Sequence, residues 1–147
     1  MPKKTDLSNA SKMRFALVTR HLNRSGYACL KALIEEGFHP QALVVSNRRP
    51  ALVKYWRPIV LWWYRLKCWF YRCHALRVVQ SEEFLARKKG IDILAIDSLK
   101  SQSGYDAVAE LDLDLLVVAG GWHEKIPASV LTLPRMGSIN VHPSLLP

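Results

Sequence analysis

Acidic residues and cysteines are both scarce in this chain, and the acidic shortage is concentrated in one segment. Twelve Asp and Glu face 21 Lys and Arg, a formal charge of +9. From Asn47 to Ser81 there is no Asp or Glu at all, while Arg48, Arg49, Lys54, Arg57, Arg65, Lys67, Arg72 and Arg77 fall within it. These cations make up nearly all of the excess, so any expectation of an acidic partner attaches to this segment and not to the domain. The three cysteines, Cys29, Cys68 and Cys73, are odd in number and lack metal-ligand or redox spacing. That argues against a disulfide framework, and reduced thiols in a cytoplasmic protein are the simplest reading. No apolar run stands behind the polar, basic stretch 1–12, which excludes a secretory signal or a span there and leaves a loose tail. His21, His39, His74 and His123 are isolated in sequence and read as surface or packing residues; no metal-ligand cluster is visible.

What is present suits one α/β domain, residues 13–147. The length fits a single domain, and half of the chain is apolar, enough for a substantial core. Arg14–Thr19 is a short apolar run with β-branched members, as in a buried strand. Ser25-Gly26 follows as a turn with a helix cap at Ser25. Cys29, Leu30, Leu33 and Ile34 then mark one helix face ending at Gly37. Ala42–Val45 is a second apolar run, and strand–helix–strand at this spacing builds parallel sheets. Ser81 caps a further helix with Glu82 and Glu83 in its first turn and an apolar face at Phe84 and Leu85. Asp92–Ile96 is a weaker strand, Tyr105–Leu111 a short helix, and Leu113–Ala119 the strongest buried-strand run. A turn or two of helix at Pro127–Leu131 and a strand at Ile139–His142 complete the order. The fold class expected is a Rossmann-like, mostly parallel sheet with flanking helices.

The acid-free segment, residues 48–77, interrupts this alternation. Four of the five tryptophans lie between Trp56 and Trp69. On a helix starting near Pro58, Ile59, Trp62, Trp63, Leu66, Trp69, Phe70 and Cys73 share one arc, and Arg65, Lys67 and Arg72 flank it. Such an inserted amphipathic helix is too short and too charged to span a bilayer. It can pack on the domain or a second subunit, lie on an anionic membrane surface through residues 56–73, or bind nucleic acid. The apolar arc is contiguous and not interleaved with the cations, which ranks a membrane, at its cytoplasmic face, above nucleic acid.

The most informative stretch is Gly137-Ser138-Ile139-Asn140-Val141-His142-Pro143-Ser144-Leu145-Leu146-Pro147. In an extended strand, Asn140 and His142 leave the same face. An amide and an imidazole would then meet at the carboxyl end of a parallel strand, where open α/β sheets place their ligand crevice. Such a pair can stabilise an oxyanion, the Asn N–H donating and a protonated His adding a charged donor. A turn-capping Asn with a His packed on the sheet is the competing interpretation.

SINVHPSLLP is similar to the signature of the 10-formyltetrahydrofolate-dependent formyltransferases, the group that formylates glycinamide ribonucleotide, methionyl-tRNA or sugar nucleotides. Val118-Ala119-Gly120-Gly121-Trp122, Ile126-Pro127 and Leu133-Pro134-Arg135-Met136-Gly137 also follow that family's pattern. The resemblance is strong over residues 113–147, weaker over 14–46, and does not reach the insertion. It implies that Asn140 and His142 are catalytic and that Gly120, Gly121, Trp122 and Ile126 line the pterin pocket. It further implies 10-formyltetrahydrofolate as formyl donor and a small-molecule primary amine as acceptor, with no metal. In some members a substrate phosphate sits at the first helix start, here Ser25-Gly26, but the glycine-rich spacing for it is missing. The family's third catalytic residue, an aspartate after the Asn–His pair, has no counterpart before Pro147. The expectation is therefore a truncated catalytic domain, incomplete at its C-terminus and weakly active or inactive. A non-catalytic peripheral membrane or interaction protein is the alternative.

Overall fold

A computed structural model describes residues 13–21, 23–47, 62 and 81–141. The tail 1–12, the insertion 48–77 apart from Trp62, and His142 with the stretch to Pro147 lie outside the described residues, as do Cys68, Cys73 and His74. Trp62 is helical and 61% exposed.

Among the described residues, the strands β1 (Phe15–Thr19), β2 (Ala42–Ser46), β3 (Asp92–Ile96), β4 (Leu115–Ala119) and β5 (Ser138–Val141) form one sheet. All pairings are parallel and the order is β3-β2-β1-β4-β5. Period-two alternation divides the core between the two faces. Phe15, Leu17, Leu43, Val45, Val117 and Ala119 pack beneath Leu30 of α1 (Arg24–Glu35) and Ala86 of α2 (Glu82–Lys88). Ala16, Val18, Val44, Leu116 and Val118 pack beneath Val108 of α3 (Gln102–Ala109) and Val130 of α4 (Ala128–Leu131). Strands covered on both faces cannot alternate with polar residues, which is why β1, β2 and β4 read as unbroken apolar runs. The expected Rossmann-like α/β class is the one observed.

Three local expectations are corrected. The cap of α1 is Asn23, whose side chain accepts from the backbone N–H of Ser25 and Gly26, so the helix starts earlier than Ser25 suggested. The third helix starts at Gln102, because Ser101 Oγ accepts from Gly104 N and caps it there. In α2, Ser81 is the cap as expected, but Phe84 is exposed and Glu82 is the buried residue of that turn. Glu82 faces the β1–α1 loop, where it accepts from Asn23 N at 3.3 Å. Gly26 explains how closely α1 approaches the sheet: a Cβ there would overlap the Thr19 side chain at the end of β1. Among the described residues no helix is long and apolar enough to cross a membrane.

Candidate active site

In this strand order the chain runs from β1 toward β2 and β3 on one side, then returns to β4 and β5 on the other. The carboxyl ends of β1 and β4 therefore border a topological switch point, where ligands of open α/β sheets bind. Two loops meet there. Asn23, at the start of α1, donates its Nδ2 to the Gly120 carbonyl at the end of β4. Gly120 and Gly121 both have positive φ, 79° and 73°. A Cβ on Gly120 would overlap the Asn23 amide, whereas a Cβ on Gly121 would meet open space. The first glycine thus serves packing between the loops. The second leaves exposed backbone that a flat ligand can approach.

Asn140 is exposed on β5, paired in register with Val118 of β4. Paired residues of a parallel sheet share a face, so Asn140 lies on the side where Val118 packs with Trp122 and Ile126. Ile139 and Val141 point to the other face, beside α1, where Val141 helps line an apolar groove of about 530 Å³ with Cys29 and Leu33. Three of the residues singled out from sequence, Asn140, Trp122 and Ile126, thus belong to one face, with Gly120 and Gly121 beside them after the end of β4. His142 lies outside the described residues.

The loop from Gly120 to Pro127 contains no helix or strand and is held by side chains. His123 Nδ1 and Ser46 Oγ, at the end of β2, are 2.9 Å apart. Glu124 accepts from Ser98 Oγ and Leu99 N, both at 2.8 Å, and from Trp122 Nε1 at 3.3 Å. Burial alone would raise the Glu124 carboxyl. The hydrogen bonds from Ser98, Trp122 and Leu99, with His123 nearby, outweigh it and hold the group below its ordinary value. His21, after β1, is nearly buried and pairs through Nδ1 with Glu83. His21 and His123 are therefore part of the loop architecture and not isolated residues. The Nε2 atom of each is buried without a hydrogen-bond partner among the described residues. Among the described residues no group of three or more His, Cys, Asp or Glu is placed to hold a metal ion.

The sequence model of the formyl transferase family matches residues 75–147, the stretch that carries the loop, β4, β5 and Asn140. Over these residues, just under half of the chain, the sequence is that of the formyl transferase family. A methionyl-tRNA formyltransferase of Alcanivorax borkumensis is 43% identical over 63 residues, covering 43% of this chain and 19% of that relative. The methionyl-tRNA formyltransferase of Macrococcus caseolyticus is 41% identical over 63 residues, covering 43% of this chain and 20% of that protein. The matches thus span about one fifth of the length of these curated relatives. A solved structure, glycinamide ribonucleotide transformylase 1 from Symbiobacterium toebii, superposes with a TM-score of 0.52 at 21% identity. It covers 92% of this chain and 53% of that one, a likeness of fold.

Sequence reasoning missed the residues that shape the loop from outside it. Asn23 was legible neither as the cap of α1, a role read for Ser25, nor as the partner of Gly120, 97 positions away. Glu124 carried no signal, because Ser98 and Leu99 come beside it only through the sheet order.

Proposed function

We propose that this protein transfers a formyl group from 10-formyltetrahydrofolate to a primary amine of a small-molecule acceptor. The observation that carries this reading is Asn140, exposed at the end of β5 on the face that Trp122 and Ile126 share. The residues present fit a flat pterin: Gly121 has open space where a side chain would be, and Trp122 and Ile126 offer apolar surface beside it. When bound, 10-formyltetrahydrofolate supplies the electrophilic formyl carbon. Asn140 Nδ2 would donate to the formyl oxygen as attack by the amine builds negative charge on it. His142, two residues further along the sequence, would add a charged donor and take a proton from the attacking nitrogen as the bond between the formyl carbon and the folate nitrogen breaks. Asn140→Asp replaces the donor with an acceptor of the same shape, so it separates chemistry from packing.

The test is steady-state kinetics with 10-formyltetrahydrofolate and a panel of primary amines, scored by release of tetrahydrofolate. Asn140→Ala and Asn140→Asp should each lower kcat by about 10²–10³, the usual cost of one oxyanion donor. KM for the folate should change little, since the contact strengthens only in the transition state. An Asn140→Asp enzyme with undiminished kcat would remove Asn140 from the chemistry.

A further inference from the structure

Three donors from two loops converge on a single oxygen, Oε1 of Glu124. Ser98 Oγ and Leu99 N belong to the turn after β3, and the Trp122 indole N–H belongs to Glu124's own loop. Oε2 shares only the Ser98 hydroxyl, at 3.0 Å. The side chain is 13% exposed. In the sheet order β4 is separated from β3 by β1 and β2, so the loop must fold back across the carboxyl ends of both to make these bonds. At about 4.8 Å per strand that is a reach of about 15 Å. No regular secondary structure supports the loop along this path. The Ser46–His123 contact anchors it over β2, and Glu124 anchors it over β3.

We propose that Glu124 is a positioning residue for the formyl-donor pocket. Its carboxylate sets the orientation of Trp122 and holds the backbone from Gly120 to Ile126 in the shape a flat ring can enter. This rests on the folate reading above, and nothing in the role requires Glu124 to touch the ligand. A glutamine keeps an Oε1 that all three donors can reach, as neutral bonds in place of charge-assisted ones. Alanine leaves the buried Leu99 N–H and the indole N–H without an acceptor.

The experiment compares the wild type with Glu124→Gln, Glu124→Ala and Asp112→Asn. Asp112→Asn loses ion pairs to Arg14 and Arg135 at the opposite end of the sheet, and controls for general destabilisation. Two quantities are read: the calorimetric Kd for 10-formyl-5,8-dideazafolate, and the indole N–H resonance of Trp122, assigned by its disappearance in Trp122→Phe. Positioning predicts a Kd at least 10-fold weaker in Glu124→Ala, within about 3-fold in Glu124→Gln and unchanged in Asp112→Asn. The Trp122 resonance should move in Glu124→Ala and stay near its place in Asp112→Asn. A Kd in Glu124→Ala equal to that of Asp112→Asn, or an unmoved Trp122 resonance, overturns the proposal. A wild type that binds no dideazafolate, with the Trp122 resonance still displaced in Glu124→Ala, overturns the donor-pocket role together with the folate reading and leaves Glu124 a loop clamp.

Discussion

Glu124 ties proton chemistry to loop shape at the scale of one residue. Its folded-state carboxyl is held below its ordinary value, so the folded protein favours the ionised form more than the unfolded chain does. The stability this gives is present in full above the unfolded-state pKa and is lost as pH falls through the lowered folded value. Denaturant unfolding measured between neutral pH and strongly acid pH should therefore show the wild type losing more stability than Glu124→Gln on the acid side. Parallel curves for the two proteins would show that the group does not contribute. Gly120 makes a different demand, since it combines positive φ with a neighbour that leaves no room for a Cβ. Gly121 shares the φ but not the crowding, so the two glycines answer to separate causes that the sequence prints identically.

Among the elements, α1 shows how one side chain can serve two structures. Asn23 Oδ1 takes the Ser25 and Gly26 amides at the helix start, while its Nδ2 reaches the Gly120 carbonyl. The exposed backbone donors of this helix end are thus already engaged from within, which leaves little for a phosphate there. Asn23→Ala should destabilise the fold by about 1–2 kcal/mol, at the upper end for a cap because a loop contact goes with it. Urea denaturation measures this, and Asn23→Ser, which restores the cap but not the Gly120 bond, should recover only part of the loss. Legibility in sequence differed among the elements for a physical reason. β1, β2 and β4 are buried on both faces, so their apolar runs announced them. Phe84 looked like a core residue by type, yet α2 buries Glu82 instead, because the β1–α1 loop offers that carboxylate a backbone donor. Helix starts were displaced by a few residues wherever two polar residues competed for the cap, as Asn23 and Ser25 did.

For the molecule as a whole, charge and apolar surface are distributed unevenly. Eight cations and no carboxylate lie between Asn47 and Ser81, outside the described residues except for Trp62. At the β5 edge of the sheet, Ile139 is 50% and Val141 44% exposed on the α1 side, next to the apolar groove. A strand with exposed β-branched side chains beside a groove favours self-association. The isolated polypeptide 1–147 should sediment as more than a monomer at micromolar concentration, and Ile139→Lys with Val141→Lys should shift it toward monomer. A monodisperse wild-type monomer in analytical ultracentrifugation would refute this. Both substitutions lie on the face opposite Asn140, so they leave the candidate site untouched.

The sequence by itself determined the parallel α/β architecture, because double burial and period-two or 3.6 spacing are local constraints that a chain must write into its residues. It also determined the formyl transferase relationship, through SINVHPSLLP and the Gly120-Gly121-Trp122 loop before it. Only the tertiary structure decided that Gly120 is closed by Asn23 while Gly121 stays open, and that Glu124 grips a turn made 25 residues earlier. Those contacts depend on strand order, and strand order is set by how whole faces pack, a quantity no single stretch of residues contains.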